Sequence, residues 1–350
     1  METEGKTMKK VLFATTALIA TASMAAADVR ISGYGRFGLD YNERNDNTVV
    51  GETNITSRLR LQFDMSAETD GGVAFGARFR AQAESRDGTP NGATFNGARF
   101  FASAGGFTLQ VGNITGAIEA MPGTYLETRT AGIGIDGADF TSHVANVGDS
   151  FTNAVSGSDY FGWDAYSSGG TGRNGVEVIY SQGAFGAHLS YSKDNDVAVG
   201  PPVVEGVQRT AVHLSYEFGD WTAAIGYQDE NQDGGDNDIL IASISGDLGF
   251  AGVRLAYASV DNVTSRNAAG TGTVNNDIDK FGLYGTFDIG AATSLVAFVT
   301  NEDNPGGASD GTAYGIHVSH DLGGGVSLEA GAVEASDDNT TVQAGVYFSF

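Results

Sequence analysis

The sequence predicts an all-β protein: a 16-stranded antiparallel transmembrane β-barrel with a long third external loop folded into the lumen. Three observations lead there. Apolar and polar residues alternate with period two along most of the chain, as they do when successive side chains point to opposite faces of a strand. Tight Gly/Asp turns alternate with longer polar connections, the asymmetry of a barrel seated in a membrane. After residue 27, nothing approaches the ~18 uninterrupted apolar residues that a membrane-crossing helix requires.

Composition removes several other classes. The 350 residues contain no cysteine, which excludes a disulfide scaffold, a thiolate metal site and a cysteine nucleophile. Fifty-one glycines without Gly-X-Y periodicity, beside only five prolines, exclude collagen and proline-rich linkers. A formal net charge of −24 makes a poor partner for nucleic acid, which needs a basic face. At 41% apolar and 10% aromatic, the chain is too hydrophobic for charge-driven disorder.

The elements follow in order. Met8-Lys9-Lys10, the apolar stretch Val11–Ala20 and the small residues to Ala25-Ala26-Ala27 read as a Sec signal peptide cleaved after Ala27, with residues 1–7 as an upstream extension. An anchoring helix is the other reading, but the stretch is short and rich in Ala and Thr. Residues 28–350 then form the barrel domain. In 29–41, Val29, Ile31, Phe37, Leu39 and Tyr41 alternate with Arg30, Ser32, Tyr34, Arg36 and Asp40. Leu59, Leu61 and Phe63 alternate with Arg58, Arg60, Gln62 and Asp64; Phe75, Ala77 and Phe79 alternate with Arg78 and Arg80. The same rhythm returns in 185–191, 212–218, 221–228 and 342–350.

Turn signals at Asp70-Gly71-Gly72, Gly105-Gly106, Gly183, Gly219-Asp220, Asp247–Gly249, Asp288–Gly290 and Gly323–Gly325 divide the chain into sixteen strands. These are 29–41, 55–68, 73–86, 94–104, 107–113, 175–182, 184–193, 208–218, 221–229, 238–246, 251–260, 278–288, 291–300, 311–321, 326–335 and 341–350. Most are about ten residues, enough for a tilted crossing of a bilayer. A soluble β-sandwich or solenoid also alternates, but lipid demands a closed sheet with no unpaired edge, and an even strand count suits closure. In the barrel the apolar face meets lipid and the polar face lines water, so no hydrophobic core is needed. Tyr41, Tyr180, Tyr191, Tyr216, Trp221 and Tyr227 fall near strand ends, where aromatic girdles sit.

One interruption is far longer than the rest, about 114–174. Loops of that length are usually functional. It carries the acids Glu119, Glu127, Asp136 and Asp139, and also Met121, Tyr125, Phe140, Phe151 and Trp163, which are costly in water. The barrel interior is where they can pack. Arg36, Arg58, Arg60, Arg78 and Arg80, joined by Arg99, share the inward parity of the first strands, and adjacent strands lie ~4.8 Å apart, so they form one patch. An acidic loop opposite that patch makes a transverse field across a narrow water path. The other reading pairs these arginines structurally, as in Arg60 with Asp64 or Asp40.

The segments Val29-Arg30-Ile31-Ser32-Gly33-Tyr34-Gly35-Arg36, Ser57–Phe63, Phe75–Ala81 and Gly345-Val346-Tyr347-Phe348-Ser349-Phe350 resemble the general trimeric porins of alphaproteobacteria, the type found in photosynthetic purple bacteria. The resemblance covers residues 28–350. It implies a 16-stranded barrel, a homotrimer in outer-membrane lipid beside lipopolysaccharide, and a third loop inside the pore. It implies a basic wall of Arg36, Arg58, Arg60, Arg78 and Arg80 opposite loop acids, with Glu119 and Glu127 where the inward loop begins. It also implies that Phe350, with Phe348 on the same face, is the signal read by the outer-membrane assembly machinery.

Other motifs carry less. Gly132-Ile133-Gly134-Ile135-Asp136-Gly137 matches G-x-G-x-x-G but has no strand before it or amphipathic helix after it. Gly307-Ala308-Ser309-Asp310-Gly311 matches G-x-S-x-G but sits in a Pro/Gly loop. His188 and His213 could neighbour one another in the lumen without making a metal site. Asp229, Asn231 and Asp233 open like a Ca²⁺-binding loop, yet the twelfth position is Leu240 where a bidentate Glu belongs. The expected function is passive passage of small hydrophilic solutes and ions, without catalysis or a required cofactor. A substrate-specific channel and a plugged structural or adhesive barrel are the alternatives. The negative balance predicts cation enrichment, which the arginine patch opposes.

Overall fold

The computed structural model describes residues 28–125 and 162–350, apart from 44, 46–49, 87–88, 91, 196, 199–202, 205, 233–234, 237, 268, 270, 308–309 and 337. Sixteen strands build one barrel. They are Asp28–Asn42, Thr53–Glu68, Ala74–Arg86, Arg99–Ala104, Phe107–Asn113, Asn174–Gln182, Phe185–Lys193, Gln208–Phe218, Trp221–Gln232, Ile239–Asp247, Gly252–Arg266, Thr273–Gly290, Thr293–Asp303, Gly311–Gly323, Val326–Glu334 and Thr340–Ser349. Five two-residue segments decorate the connections. Each barrel strand pairs antiparallel with the next, and the sixteenth pairs with the first through Arg36↔Tyr347 and Asn42↔Thr341. Closure leaves no edge of unpaired N–H and C=O groups for lipid to meet.

Alternation decides the two faces. Val29, Ile31, Phe37, Leu39, Leu59, Leu109, Leu189, Leu214, Ile225, Leu255, Leu283, Ile316 and Leu328 all point outward and stay exposed. Their cross-strand neighbours form a continuous apolar surface, unsuited to water and suited to acyl chains. The intervening residues point inward, among them Arg36, Arg58, Glu177, His188, His213, Arg254, Lys280 and Glu329.

The ends differ as expected. One end carries Asp28, Phe350 and the tight turns; Gly105 and Gly106 have φ of 57° and 85°, the left-handed pair that a two-residue hairpin requires. Phe107 packs on Tyr180 at 4.4 Å beside that turn, and Tyr216 stacks on Phe218 at 6.3 Å near another. Tyr191 and Tyr227 lie toward the opposite end, so aromatics occur at both rims.

Two expectations at element boundaries change. The polar stretch 261–277 is not mainly loop: the eleventh and twelfth strands continue to Arg266 and from Thr273, with a register shift between Val260 and Val263. Beyond the lipid a hairpin needs no apolar face, so composition hid it. The strand expected over 94–104 is broken. Thr94–Phe95 pairs briefly with the third strand, residues 96–98 are irregular, and Arg99–Ala104 resumes. Asn96 causes the break. Its side-chain oxygen accepts the Arg80 N–H at 2.6 Å, its own N–H bonds the Arg80 carbonyl at 2.9 Å, and its side-chain nitrogen turns to Ser167 of the long loop.

Candidate functional site

The basic residues lie on one inner wall. Register places Arg36 beside Arg58, Arg78 beside Arg99, and Arg60 and Arg80 on the same face of the second and third strands. All six arginines named from the sequence are thus brought together. Four of them also meet a partner on this wall. Arg58 Nε donates to Glu84 at 2.7 Å and Arg78 Nε to Asp64 at 2.5 Å. Arg60 Nε donates to Gln82 at 2.7 Å, and Arg80 Nε to Gln62 at 2.9 Å. Asp64 takes Arg78, and Asp40 accepts from Gln343 at 2.7 Å. Arg36 and Arg99 are buried.

The outgoing limb of the loop, residues 114–125, crosses the inner face of the sixth to eleventh strands. Glu177 holds its start. That carboxylate accepts the N–H groups of Thr115 at 3.2 Å and Gly116 at 2.9 Å, and lies 3.0 Å from His188 Nε2. The Ala117 N–H donates to Ser190 Oγ at 2.9 Å. The Ala117 carbonyl accepts from His213 Nδ1 at 2.5 Å, so that ring nitrogen carries the proton. His188 and His213 are cross-strand partners with rings 5.4 Å apart, the neighbours their parity suggested. Further along, Ile118 and Met121 pack over Gly226, where a Cβ would meet them at 2.8 and 2.9 Å. Ser243 Oγ then donates to the Pro122 carbonyl at 2.7 Å, and Arg254 Nη1 to the Gly123 carbonyl at 3.1 Å.

This limb corrects one expectation, that the inner face is polar throughout. Ala117, Ile118 and Met121 join Ile239, Ile241, Ala256, Ala258, Ile278, Val296 and Phe298 in one buried apolar cluster, with Trp163 against it. Inward side chains of the wall and apolar side chains of the outgoing limb share this cluster. The far wall also buries Lys280 with Glu302 at 3.7 Å and His317 with Glu329 at 3.2 Å.

The return limb, residues 162–173, leads back to the basic wall. Gln228 donates to the Gly162 carbonyl at 2.9 Å. Buried Asp164 lies 3.3 Å from Arg209 and 4.0 Å from Arg173; Arg209 also pairs with Glu230, and Arg173 with Asp194. Burial first, then Arg209, pulls the Arg173 guanidinium below its ordinary value, while Asp164 opposes the shift. Arg80 Nη1 donates to Ser168 Oγ at 3.0 Å, Asn113 Nδ2 to the Ser167 carbonyl at 3.1 Å, and Arg99 to Thr115 Oγ1.

Of the loop acids, Glu119 accepts from Tyr125 at 2.5 Å and Trp163 at 2.8 Å, tying the two limbs together. Glu127, Asp136 and Asp139 lie outside the described residues. Phe348 covers Gly35 on the outer face, and the backbone of Phe350 exchanges hydrogen bonds with Gly33 at 2.9 and 3.0 Å. Asp229 and Asn231 belong to the ninth strand, and Asp233 lies outside the described residues. Among the described residues no cluster of His, Cys, Asp or Glu is arranged to hold a metal.

Sequence reasoning missed Glu177, Ser190, Gly226, Ser243, Arg254, Asn96 and Tyr166. Inward parity marks the strand residues among them, but not the loop atoms they meet.

Comparison with known proteins agrees with this architecture. Residues 14–340 match the family model described as Gram-negative porin. The chain is 31% identical over 327 residues to the porin of Fuscovulum blasticum, and 28% over 348 residues to that of Rhodobacter capsulatus; each match covers 92% of this chain and 100% of the relative. Among solved structures, a variant of the Rh. blastica porin bearing five substitutions superposes with a TM-score of 0.71 at 27% identity, covering 92% of this chain and 100% of that one. A variant with three substitutions gives 0.70 at 28%, with the same coverage. A closed sixteen-strand barrel, an inward loop and these full-length matches together establish that the chain belongs to the Gram-negative porin family.

Proposed function

We propose that this diffusion porin works as a homotrimer in the outer membrane, passing small hydrophilic solutes and ions through a water-filled lumen narrowed by its third long loop. The observation that carries the reading is the inversion of the barrel: apolar residues outside, charged residues and a loop inside. The two limbs reach from the basic wall of the first four strands to Arg254 on the eleventh, so they span the lumen. A hydrated solute entering that lumen meets fixed charges, and selectivity follows from the radius and the field there. Export by the leader 1–27, assembly through Phe350 and contact with lipopolysaccharide complete the proposal. Passive diffusion needs no cofactor and no catalysis.

Carboxylate partners on Arg58 and Arg78 argue against a dedicated phosphate channel, because each pair lowers the wall's net charge. The test is swelling of proteoliposomes in sugars of increasing size. Rates should fall smoothly with sugar size. Replacing Arg58, Arg60, Arg78 and Arg80 together by Ser should raise the size limit. A variant with the wild-type limit would remove these arginines from the constriction, and vesicles that no sugar swells would overturn the open channel.

A further inference from the structure

The return limb meets the basic wall through one aromatic ring. The centroid of Tyr166 lies 4.6 Å from the guanidinium carbon of Arg80 and 4.6 Å from that of Arg99. Its hydroxyl donates to the Arg78 carbonyl at 3.2 Å, which fixes the ring over the wall. The flanking residue Ser168 accepts from Arg80, and Thr115 from Arg99, so both guanidinium groups are engaged by the loop. Arg99 is 8% exposed. Arg58 and Arg78, by contrast, meet carboxylates on their own wall.

A guanidinium group attracts an anion most strongly when its N–H groups touch it; attraction falls with separation and with intervening water. An aromatic ring face presents negative charge to a cation and occupies the place an anion would take. We propose that Tyr166 is a selectivity-determining residue: its ring covers Arg80 and Arg99, withholds both from permeating anions, and so favours passage of cations. The inference rests on the diffusion-porin reading and adds to it the residue that decides how much of the basic wall an ion can reach.

The test is the reversal potential of the full-length protein in planar bilayers under a KCl gradient, with heat-modifiable migration confirming that each variant is a folded barrel. Tyr166→Ala should lower the potassium-to-chloride permeability ratio by about twofold or more, as two uncovered positive charges recruit chloride. Tyr166→Phe keeps the ring and should restore the wild-type ratio. Adding Arg80→Gln and Arg99→Gln to Tyr166→Ala should reverse the fall. Arg80→Gln with Arg99→Gln in the wild-type background is the control: with the ring in place the pair should move the ratio less than it does in Tyr166→Ala, and equal shifts in both backgrounds would mean that the ring covers neither charge. An unmoved ratio in Tyr166→Ala, or a fall that persists without the arginines, would overturn the proposal while leaving the porin reading intact. A wild-type barrel that conducts nothing would overturn the porin reading itself.

Discussion

Glu177 shows how much one side chain can organise. It is 1% exposed, and its two oxygens accept from two loop amides and meet a histidine. Truncation in Glu177→Ala orphans those amides, at roughly 1–3 kcal/mol for each buried donor left unpaired. The outgoing limb should loosen and become open to protease. Limited proteolysis of intact vesicles checks this: cleavage within 114–173 should quicken in the variant, and an unchanged rate would mean the limb is held by other contacts. At this scale the sequence was legible where parity alone sufficed. The six arginines share one face because period two forces it. Tyr166 and Asn96 were not legible, because their partners lie across a loop whose path no periodicity encodes. Glu119, expected as a lumen acid, accepts from Tyr125 six residues on and from Trp163, which the return limb brings back from 44 residues along the chain.

Strands and loop limbs were unequally readable. Tight turns announced themselves through glycine pairs, and the strand order followed from them. The extended hairpin between the eleventh and twelfth strands was hidden by its polar composition, since only the lipid-facing part of a strand must be apolar. Two predictions belong to these elements. Leucine at Gly226 would press on Ile118 and Met121, and overpacking of that kind costs about 1–3 kcal/mol. Displacement of the limb should raise single-channel conductance, whereas wild-type conductance would show that the limb accommodates the side chain. On the opposite face, Leu283 is half exposed to lipid in the middle of its strand. Leu283→Lys should cost about 2–4 kcal/mol near the bilayer midplane, measured by urea-dependent refolding into vesicles. A cost near zero would place that position at an interface.

The whole molecule combines a closed sheet with a strongly acidic balance. Closure, strand number and the inversion of faces were legible because lipid leaves few solutions for a chain that alternates this long. The apolar cluster on the inner wall was not, because inward apolar residues contradict a simple water-filled tube until a loop is seen to pack there. With a net charge of −24, the mouths of the barrel should enrich cations, and covered arginines on the wall should not reverse that preference. The central claim is that the loop narrows the lumen and does not seal it. Single-channel recording of the purified, unheated protein in a planar lipid bilayer tests this most directly. Large ohmic steps arriving in groups of three are the predicted result. A demonstrably inserted barrel that carries no current would contradict it.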